Sequence, residues 1–261
     1  MKFLVYSKED SVSEGIANAI MHLYNFSNAE EINSYKHFFC KQYDLHMLEL
    51  NTSLLEAELL DNINADLLVI LSKHSSQMGV PSMSVHATGN WSDEAKLGGE
   101  PRKLSVAAPV RMHALIVELN ALNKNPGIEV TYEATHHGPL LNTPSLFAEI
   151  EEHSFSQENA EVMARAVIES LQKNADLKIA VGIGGTHYPK KFTSMALNNG
   201  YAFSHIMPKY YVDNVDMLEE AINRSEPVAK TAVIDWKSLN AKKRDMVIAK
   251  LDEIGIRYER I

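Results

Sequence analysis

The sequence predicts an α/β protein: a mixed, mostly parallel sheet with helices on both faces. Three observations predict it. Short apolar strand-like runs alternate with amphipathic helix-like segments along all 261 residues, the order that a parallel sheet and its covering helices require. The run Leu67-Leu68-Val69-Ile70-Leu71 is apolar at every position, as a strand buried on both faces must be. No repeat, low-complexity tract, linker or break in composition divides the chain, so residues 1–261 read as a single α/β domain.

The elements follow in order. Residues 2–6 form an apolar first strand, and residues 11–24 carry Val12, Ile16, Ala19, Ile20 and Leu23 at helical spacing. Residues 38–43 and 45–50 read as short strands about a turn at Asp44, which makes part of the sheet antiparallel. A helix is expected over 54–60, then the buried strand around 66–72 and further strands at 83–87 and 104–107. Gly89, Gly98, Gly99 and Pro101 make 88–103 a loop. A helix over 110–123 is stopped by Pro126-Gly127, and Ile128, Val130, Tyr132 and Ala134 alternate as a strand over 128–135. Ser156 caps a helix over 156–172. Then come a buried strand at 178–182, a short helix ended by Asn199-Gly200, a strand at 201–207, a helix at 213–223 and a strand at 231–236. Ser238 is expected to cap a last helix that Gly255 closes.

Composition excludes several classes. With 45% hydrophobic and 23% charged residues, the chain is neither disordered, collagen-like nor a coiled coil. Its longest aliphatic run is far too short to span a bilayer, and the first strand turns polar at Ser7-Lys8-Glu9-Asp10, too soon for a signal peptide. One cysteine, Cys40, permits neither an intrachain disulfide nor a thiolate-rich metal cluster, so a cytosolic protein is expected. A balance of 25 basic against 34 acidic residues, net −9, excludes a protein that coats duplex DNA. It leaves room for an enzyme that touches one end of a nucleic acid through a small basic pocket.

The functional signal lies in the 11 histidines. His86, His136, His137, His187 and His205 each follow an apolar strand, and strand ends of an α/β sheet are where ligands bind. The expectation is that they converge along one sheet edge. Neutral imidazole serves as general acid or base near neutral pH and is also the commonest zinc ligand. Alternation puts Glu133 on the face of its strand that Thr135 and His137 share, so this carboxylate can join the cluster. Base candidates are His137 and His187; candidate metal ligands are His86, Glu133, His136 and His205. His74, just past the 67–71 strand, is in reserve, whereas His22 and His113 fall in helices and read as structural. No His-Glu-x-x-His spacing is present, so metal-bound and metal-free histidine sites both stay open.

Gly182-Ile183-Gly184-Gly185 is neither a dinucleotide fingerprint nor a phosphate loop. Next to Thr186-His187, the backbone N–H groups of Gly184 and Gly185 are candidates for an oxyanion hole. Lys190 and Lys191 are candidates for a phosphate. Trp91 and Tyr188 are candidates to stack on a base. No Gly-x-Ser-x-Gly elbow occurs and Cys40 sits in an apolar strand, which speaks against a serine or cysteine nucleophile.

In four blocks the chain resembles the D-aminoacyl-tRNA deacylases of the archaeal and plant type: Ser84-Val85-His86-Ala87-Thr88-Gly89-Asn90, Thr135-His136-His137-Gly138-Pro139, Gly184-Gly185-Thr186-His187-Tyr188 with Lys190-Lys191-Phe192-Thr193, and Ser204-His205-Ile206. The blocks occur in order and the resemblance extends along essentially the whole chain. It implies hydrolysis of the ester between a D-amino acid and the 3′-terminal adenosine of tRNA. It also implies a fold akin to phosphorylases and peptidyl-tRNA hydrolases, and dependence on zinc. The implied partner is the acceptor end of a tRNA carrying a D-amino acid, with no membrane and no duplex DNA. Two other readings use the same histidines. A zinc-dependent peptidase or amidase would cleave peptides with no RNA present, and a nucleoside phosphorylase-like enzyme would need inorganic phosphate for turnover.

Overall fold

The computed structural model describes residues 1–75 and 79–261. Its elements are β1 (Lys2–Ser7), α1 (Ser11–Leu23), β2 (Ser27–Ile32), β3 (Tyr35–Cys40), β4 (Leu45–Leu50), β5 (Leu67–His74), β6 (Ser82–His86), β7 (Gly89–Asn90), β8 (Lys103–Leu104), α2 (Pro109–Leu122), β9 (Glu129–Tyr132), β10 (Ser145–Glu151), α3 (Gln157–Ser170), β11 (Lys178–Ile183), α4 (Lys190–Asn199), β12 (Tyr201–Met207), α5 (Leu218–Asn223), β13 (Thr231–Ile234), α6 (Ala241–Glu253) and β14 (Arg257–Arg260). No helix among the described residues is long and apolar enough to cross a membrane.

The strands form two main sheets rather than one. The first has eight strands in the order β2-β3-β4-β1-β5-β10-β6-β9, the second four in the order β12-β11-β13-β14, and β7 pairs with β8 in a small ribbon. The second sheet is parallel throughout. In the first, β2, β3 and β4 form an antiparallel meander and β6 runs against β10, while the remaining pairs are parallel. The fold is therefore the mixed, mostly parallel α/β arrangement that the alternation predicts.

Alternation along the strands separates the cores. Leu4, Met47, Val69 and Ala148 face α1, α2 and α3 in a core that continues into the second sheet through Phe203 and Phe192. Phe3, Leu48, Ile70 and Phe147 point the other way, onto Leu54, Leu60 and Leu141. That second face of the first sheet is covered by 3-10 turns at Leu54–Glu56 and Glu58–Asn62, not by the regular helix expected there. The second sheet has helices on both faces: α2 and α4 share the first core, while α5 and α6 pack Leu218, Ala221, Val247 and Leu251 against Val181 and Ala232.

Local signals agree with the structure where they are self-contained. Ser156 Oγ accepts from Asn159 N–H at the start of α3, and Gly200 ends α4 at φ 69° in the left-handed region that favours glycine. The cap of α6 is Asn240, whose side chain accepts from Lys243 N–H; Ser238 makes other bonds, described below.

Candidate active site

The segment just after β9, residues 133–136, builds the site. Glu133 N–H donates to Val85 O (3.1 Å) in the first sheet, Ala134 N–H to His187 O (2.8 Å) and Thr135 N–H to Ile206 O (3.0 Å) in the second. Thr88 and His136 then bridge back to the first. Residues 133–136 therefore stitch the two sheets together, and the histidines converge on the seam instead of on one sheet edge.

Each side chain arrives for a topological reason. On β10, Phe147, Glu149 and Glu151 share a face. Parallel pairing sets Ser72 beside Glu149 and His74 beside Glu151, and antiparallel pairing sets His86 opposite Phe147. His136 and His137 come from the stitching segment, and His187 from the loop after β11. His137 has φ 41°, and Gly138 behind it packs against the backbone of Gly98 and Gly99, where a Cβ would lie 2.2 Å from Gly99 N. Only glycine fits there. The resulting cavity of ≈ 550 Å³ is lined by His74, His136, His137, His187 and Glu149 and by the apolar Leu54, Leu55 and Leu97.

The centre is Glu133, which no solvent reaches. Its carboxylate stands 2.9 Å from His187 Nε2, 3.2 Å from His74 Nδ1 and 3.6 Å from His136 Nε2. Glu149 Oε2 lies 3.3 Å from His74 Nδ1 and 3.4 Å from His86 Nε2. Neither Glu133 oxygen nor His86 Nε2 completes a hydrogen bond of acceptable geometry, although all three are buried. Three rings are oriented from behind: the Nδ1 atoms of His86, His136 and His137 meet the carbonyls of Ala87 (3.1 Å), Ala134 (2.9 Å) and Gly138. A carbonyl only accepts, so each Nδ1 carries a proton, and neutral His136 and His137 are left with a lone pair on Nε2. The Nε2 atoms of His136 and His86 face carboxylate oxygens.

The protonation equilibria follow. Burial opposes a charge on His74, but Glu133 and Glu149 beside Nδ1 outweigh it and hold its pKa up at about 10. His86 is likewise raised against the pull of burial, by Glu149. Burial lowers His136 well below the usual imidazole value, with His137 and His86 adding to it; burial and His86 bring His137 down to about 4. Burial pushes the carboxyl pKa of Glu133 and Glu149 up, yet the surrounding imidazoles win and both are held low, as carboxylates.

The donor set fits a zinc ion. One oxygen or nitrogen each of His74, Glu133, His136 and His187 lies within 4.8 Å of the others; His86-His136-His137 and His86-Glu133-Glu149 form overlapping groups. Imidazole and carboxylate are zinc donors, and His136, with Nδ1 tied to the Ala134 carbonyl and Nε2 free, is oriented as zinc ligands are. A cation among these atoms would satisfy the orphaned Glu133 oxygens and relieve the lone pairs that face them.

Several sequence-based expectations require correction. His205 is not part of the cluster: its Nε2–H donates to Arg224 O (2.9 Å) and Ser105 O (3.1 Å), and Thr135 Oγ1 stands 3.2 Å from Nδ1. Both ring nitrogens are spent on holding loops together, and burial lowers its pKa to about 4. Trp91 is buried and its Nε1–H donates to Thr135 O (2.9 Å), so it packs the core and presents no face for stacking. The oxyanion hole at Gly184 and Gly185 is not available, because Gly184 N–H donates to Met207 O and Gly185 N–H to Ser238 Oγ, both at 2.8 Å. These glycines serve conformation instead, at φ 102° and 76°, with Gly184 pressed onto the Asp235–Ser238 turn.

The other candidates sit beside the cluster. Tyr188 Oη lies 2.8 Å from His74 Nε2, while Tyr188 also lines a second cavity of ≈ 230 Å³ with Thr186, Lys190 and Lys191. Lys190 pairs with Glu129 (3.1 Å) and Lys191 with Asp235 (2.6 Å); Thr186 Oγ1–H donates to Tyr188 O (3.1 Å). His74 moves from reserve to the centre. Sequence reasoning misses Glu149: the residues Leu146-Phe147-Ala148-Glu149-Ile150-Glu151 alternate, and carboxylates at every second position of an apolar strand are the signal.

Fold and cluster together define an α/β protein whose main cavity gathers imidazoles and buried carboxylates, the groups that hydrolytic chemistry uses. The sequence profile of the D-aminoacyl-tRNA deacylases matches residues 61–259. The chain is 32% identical to the D-aminoacyl-tRNA deacylase of Pyrococcus abyssi over 99% of both chains, and 33% identical to that of Thermococcus kodakarensis over the full length of each. That of Ignicoccus hospitalis is 39% identical over 75% of this chain and 81% of its own. A crystal structure described as that of a conserved protein of unknown function superposes with a TM-score of 0.91 at 29% identity, covering 100% of this chain and 95% of the other. The chain belongs to the D-aminoacyl-tRNA deacylase family. It is a hydrolase, and its substrate is a tRNA.

Proposed function

We propose that the seam cavity binds the aminoacylated 3′ end of tRNA and hydrolyses the ester there, releasing a free D-amino acid, and that it does so in the cytosol. The observation that carries this reading is the convergence of His74, His136 and His187 on the buried, unpaired carboxylate oxygens of Glu133, with His137, anchored through Nδ1, beside them in the same cavity. His74, Glu133, His136 and His187 would hold zinc, which when bound supplies a Lewis acid at the ester carbonyl.

The chain's own groups divide the rest of the work. His137 is neutral at physiological pH, with its proton fixed on Nδ1 toward Gly138 O, so Nε2 takes the proton of the attacking water. Glu149 holds His86 and His74 in place. Tyr188, hydrogen-bonded to His74, stands at the rim between the two cavities and orients the substrate. Leu54, Leu55 and Leu97 give the same cavity an apolar lining, which suits the amino-acid side chain. Lys190 and Lys191 border the neighbouring cavity, within reach of the terminal phosphates.

The test is a pair of variants. His187→Ala should lose both zinc and turnover. His137→Ala should keep its zinc and lose on the order of 10²–10⁴-fold in rate. Near-normal rates in both would overturn the site assignment, and zinc lost from both would make His137 a ligand, not a base. The competing readings are excluded on the same samples if peptides are untouched and turnover needs no inorganic phosphate.

A further inference from the structure

The carboxyl edge of the second sheet carries a charge pattern at odds with the net charge of −9. Register places Ile183, Met207, Ile234 and Arg260 side by side at the ends of β11, β12, β13 and β14. The chain leaves these ends with His187, then Lys209-Tyr210, then Trp236-Lys237, and the last strand finishes on Arg260 itself. Lys209, Lys237 and Arg260 are exposed, and among the described residues none has an acidic partner within ion-pair distance. Arg260 stands 4.1 Å and Arg244 4.7 Å from the centre of the Trp236 ring, which keeps both guanidinium groups spread over the same edge.

This edge is continuous with the reaction centre. Lys209 N–H donates to Gly185 O (3.0 Å), two residues before His187. Tyr210 follows and is 51% exposed, one of few large aromatic side chains so presented. Its ring packs edge-on against that of Tyr211, with 4.9 Å between the centroids, which holds it beside Lys209. Lys209 itself lines the second cavity, beside Tyr188. An exposed aromatic next to that lysine and unpaired cations along the same edge are the parts that bind a single-stranded nucleic acid: a stacking platform and a backbone track.

We propose that this edge is the docking track for the single-stranded 3′ end of the tRNA, with Tyr210 stacked on the terminal base and Lys209, Lys237 and Arg260 on the phosphates behind it. Tyr210 takes the role that buried Trp91 cannot. The inference rests on the deacylase reading and adds the surface that selects RNA to it. It also explains how an acidic protein holds a polyanion: the counter-charges of this edge are left for the ligand.

The experiment measures deacylation of D-tyrosyl-tRNA against salt concentration, for the wild-type chain, Lys209→Ala/Lys237→Ala/Arg260→Ala, Tyr210→Ala, Tyr210→Phe, and a control, Lys230→Ala/Arg257→Ala, at the opposite edge of the same sheet. The triple variant should raise KM roughly ten-fold or more at near-normal kcat. It should also flatten the slope of log(kcat/KM) against log[salt] by about 2, since each single-strand phosphate left without its cation accounts for about 0.7. Tyr210→Ala should raise KM roughly five-fold or more with the salt slope intact, and Tyr210→Phe should restore it, because stacking needs the ring and not the hydroxyl. A triple variant with wild-type KM and salt slope overturns the proposal, as does a control that shifts as much. Binding of uncharged tRNA to the same proteins separates the two readings. If the wild-type chain binds tRNA through this edge but hydrolyses no D-tyrosyl-tRNA, the deacylase reading fails and the docking track stands.

Discussion

Glu133→Gln is the sharpest perturbation of the site. The substitution keeps the shape of a side chain with 0% exposure and removes only its charge. His74 then keeps a single carboxylate neighbour, Glu149 at 3.3 Å, so its raised pKa of about 10 falls and it sheds its proton instead of stranding a buried charge. The metal-free fold should therefore lose little, less than about 2 kcal/mol. The effect on metal binding is larger, because Glu133 is the one charged donor of the four-residue group with His74, His136 and His187. Zinc at a hundred times its Kd contributes about 2.7 kcal/mol to stability. Unfolding of 261 residues carries roughly 0.55 kcal/mol per degree near Tm, so the wild-type chain should gain about 5 °C on zinc addition. The variant should gain less than about 2 °C and lose on the order of 10²–10⁴-fold in deacylation. The assay is thermal unfolding with and without zinc, with rate and bound zinc read on the same samples. A variant that keeps the full zinc-induced shift, and a rate within about three-fold of wild type, would refute the placement of Glu133 at the reaction centre.

Three further outcomes are expected. His205 has a folded pKa near 4, below its unfolded value, so its stabilisation is present above about pH 6.5 and is lost as pH falls toward 4. Denaturant unfolding at pH 7 and pH 5 should show the wild-type chain losing about 2 kcal/mol more than His205→Asn; equal losses would remove the structural role given to this ring. Gly138→Ala drives a Cβ to 2.2 Å from Gly99 N, and should cost about 3 kcal/mol and most of the activity by displacing His137; a wild-type Tm would contradict the close backbone packing. Trp91→Phe leaves Thr135 O without its indole donor and should cost about 1–3 kcal/mol at unchanged KM for tRNA, whereas a raised KM at wild-type Tm would return Trp91 to substrate stacking.

What is legible in the sequence is what local physics decides. Strand β5 shows as five consecutive aliphatic residues, and the start of α3 shows as Ser156 before a helical apolar pattern, because burial and capping are read over a few positions. Strands β2 and β14 are invisible: both lie at sheet edges and bury no side chain, so no apolar alternation marks them. Strand β10 is hidden by its two buried glutamates, of which Glu149 belongs to the site. His86, His136, His137 and His187 stand out by their places at strand ends, and the same rule wrongly admits His205. Nothing in a local pattern says that the carbonyls of Ser105 and Arg224, far off in sequence, claim its ring. The glycine pair reads as a donor of N–H groups for a similar reason, since the partners of Gly184 and Gly185 come from β12 and from Ser238. The division into two sheets, and the seam between them, depend on strand order, which periodicity does not encode.

The most direct test of the central claim is the rate of ester hydrolysis on D-tyrosyl-tRNA and on L-tyrosyl-tRNA by the wild-type chain, with and without a chelator. The account predicts rapid hydrolysis of the D-form, sparing of the L-form, and loss of activity in chelator that added zinc restores. Equal rates on the two enantiomers, or full activity on the D-form after the metal has been stripped, would contradict it.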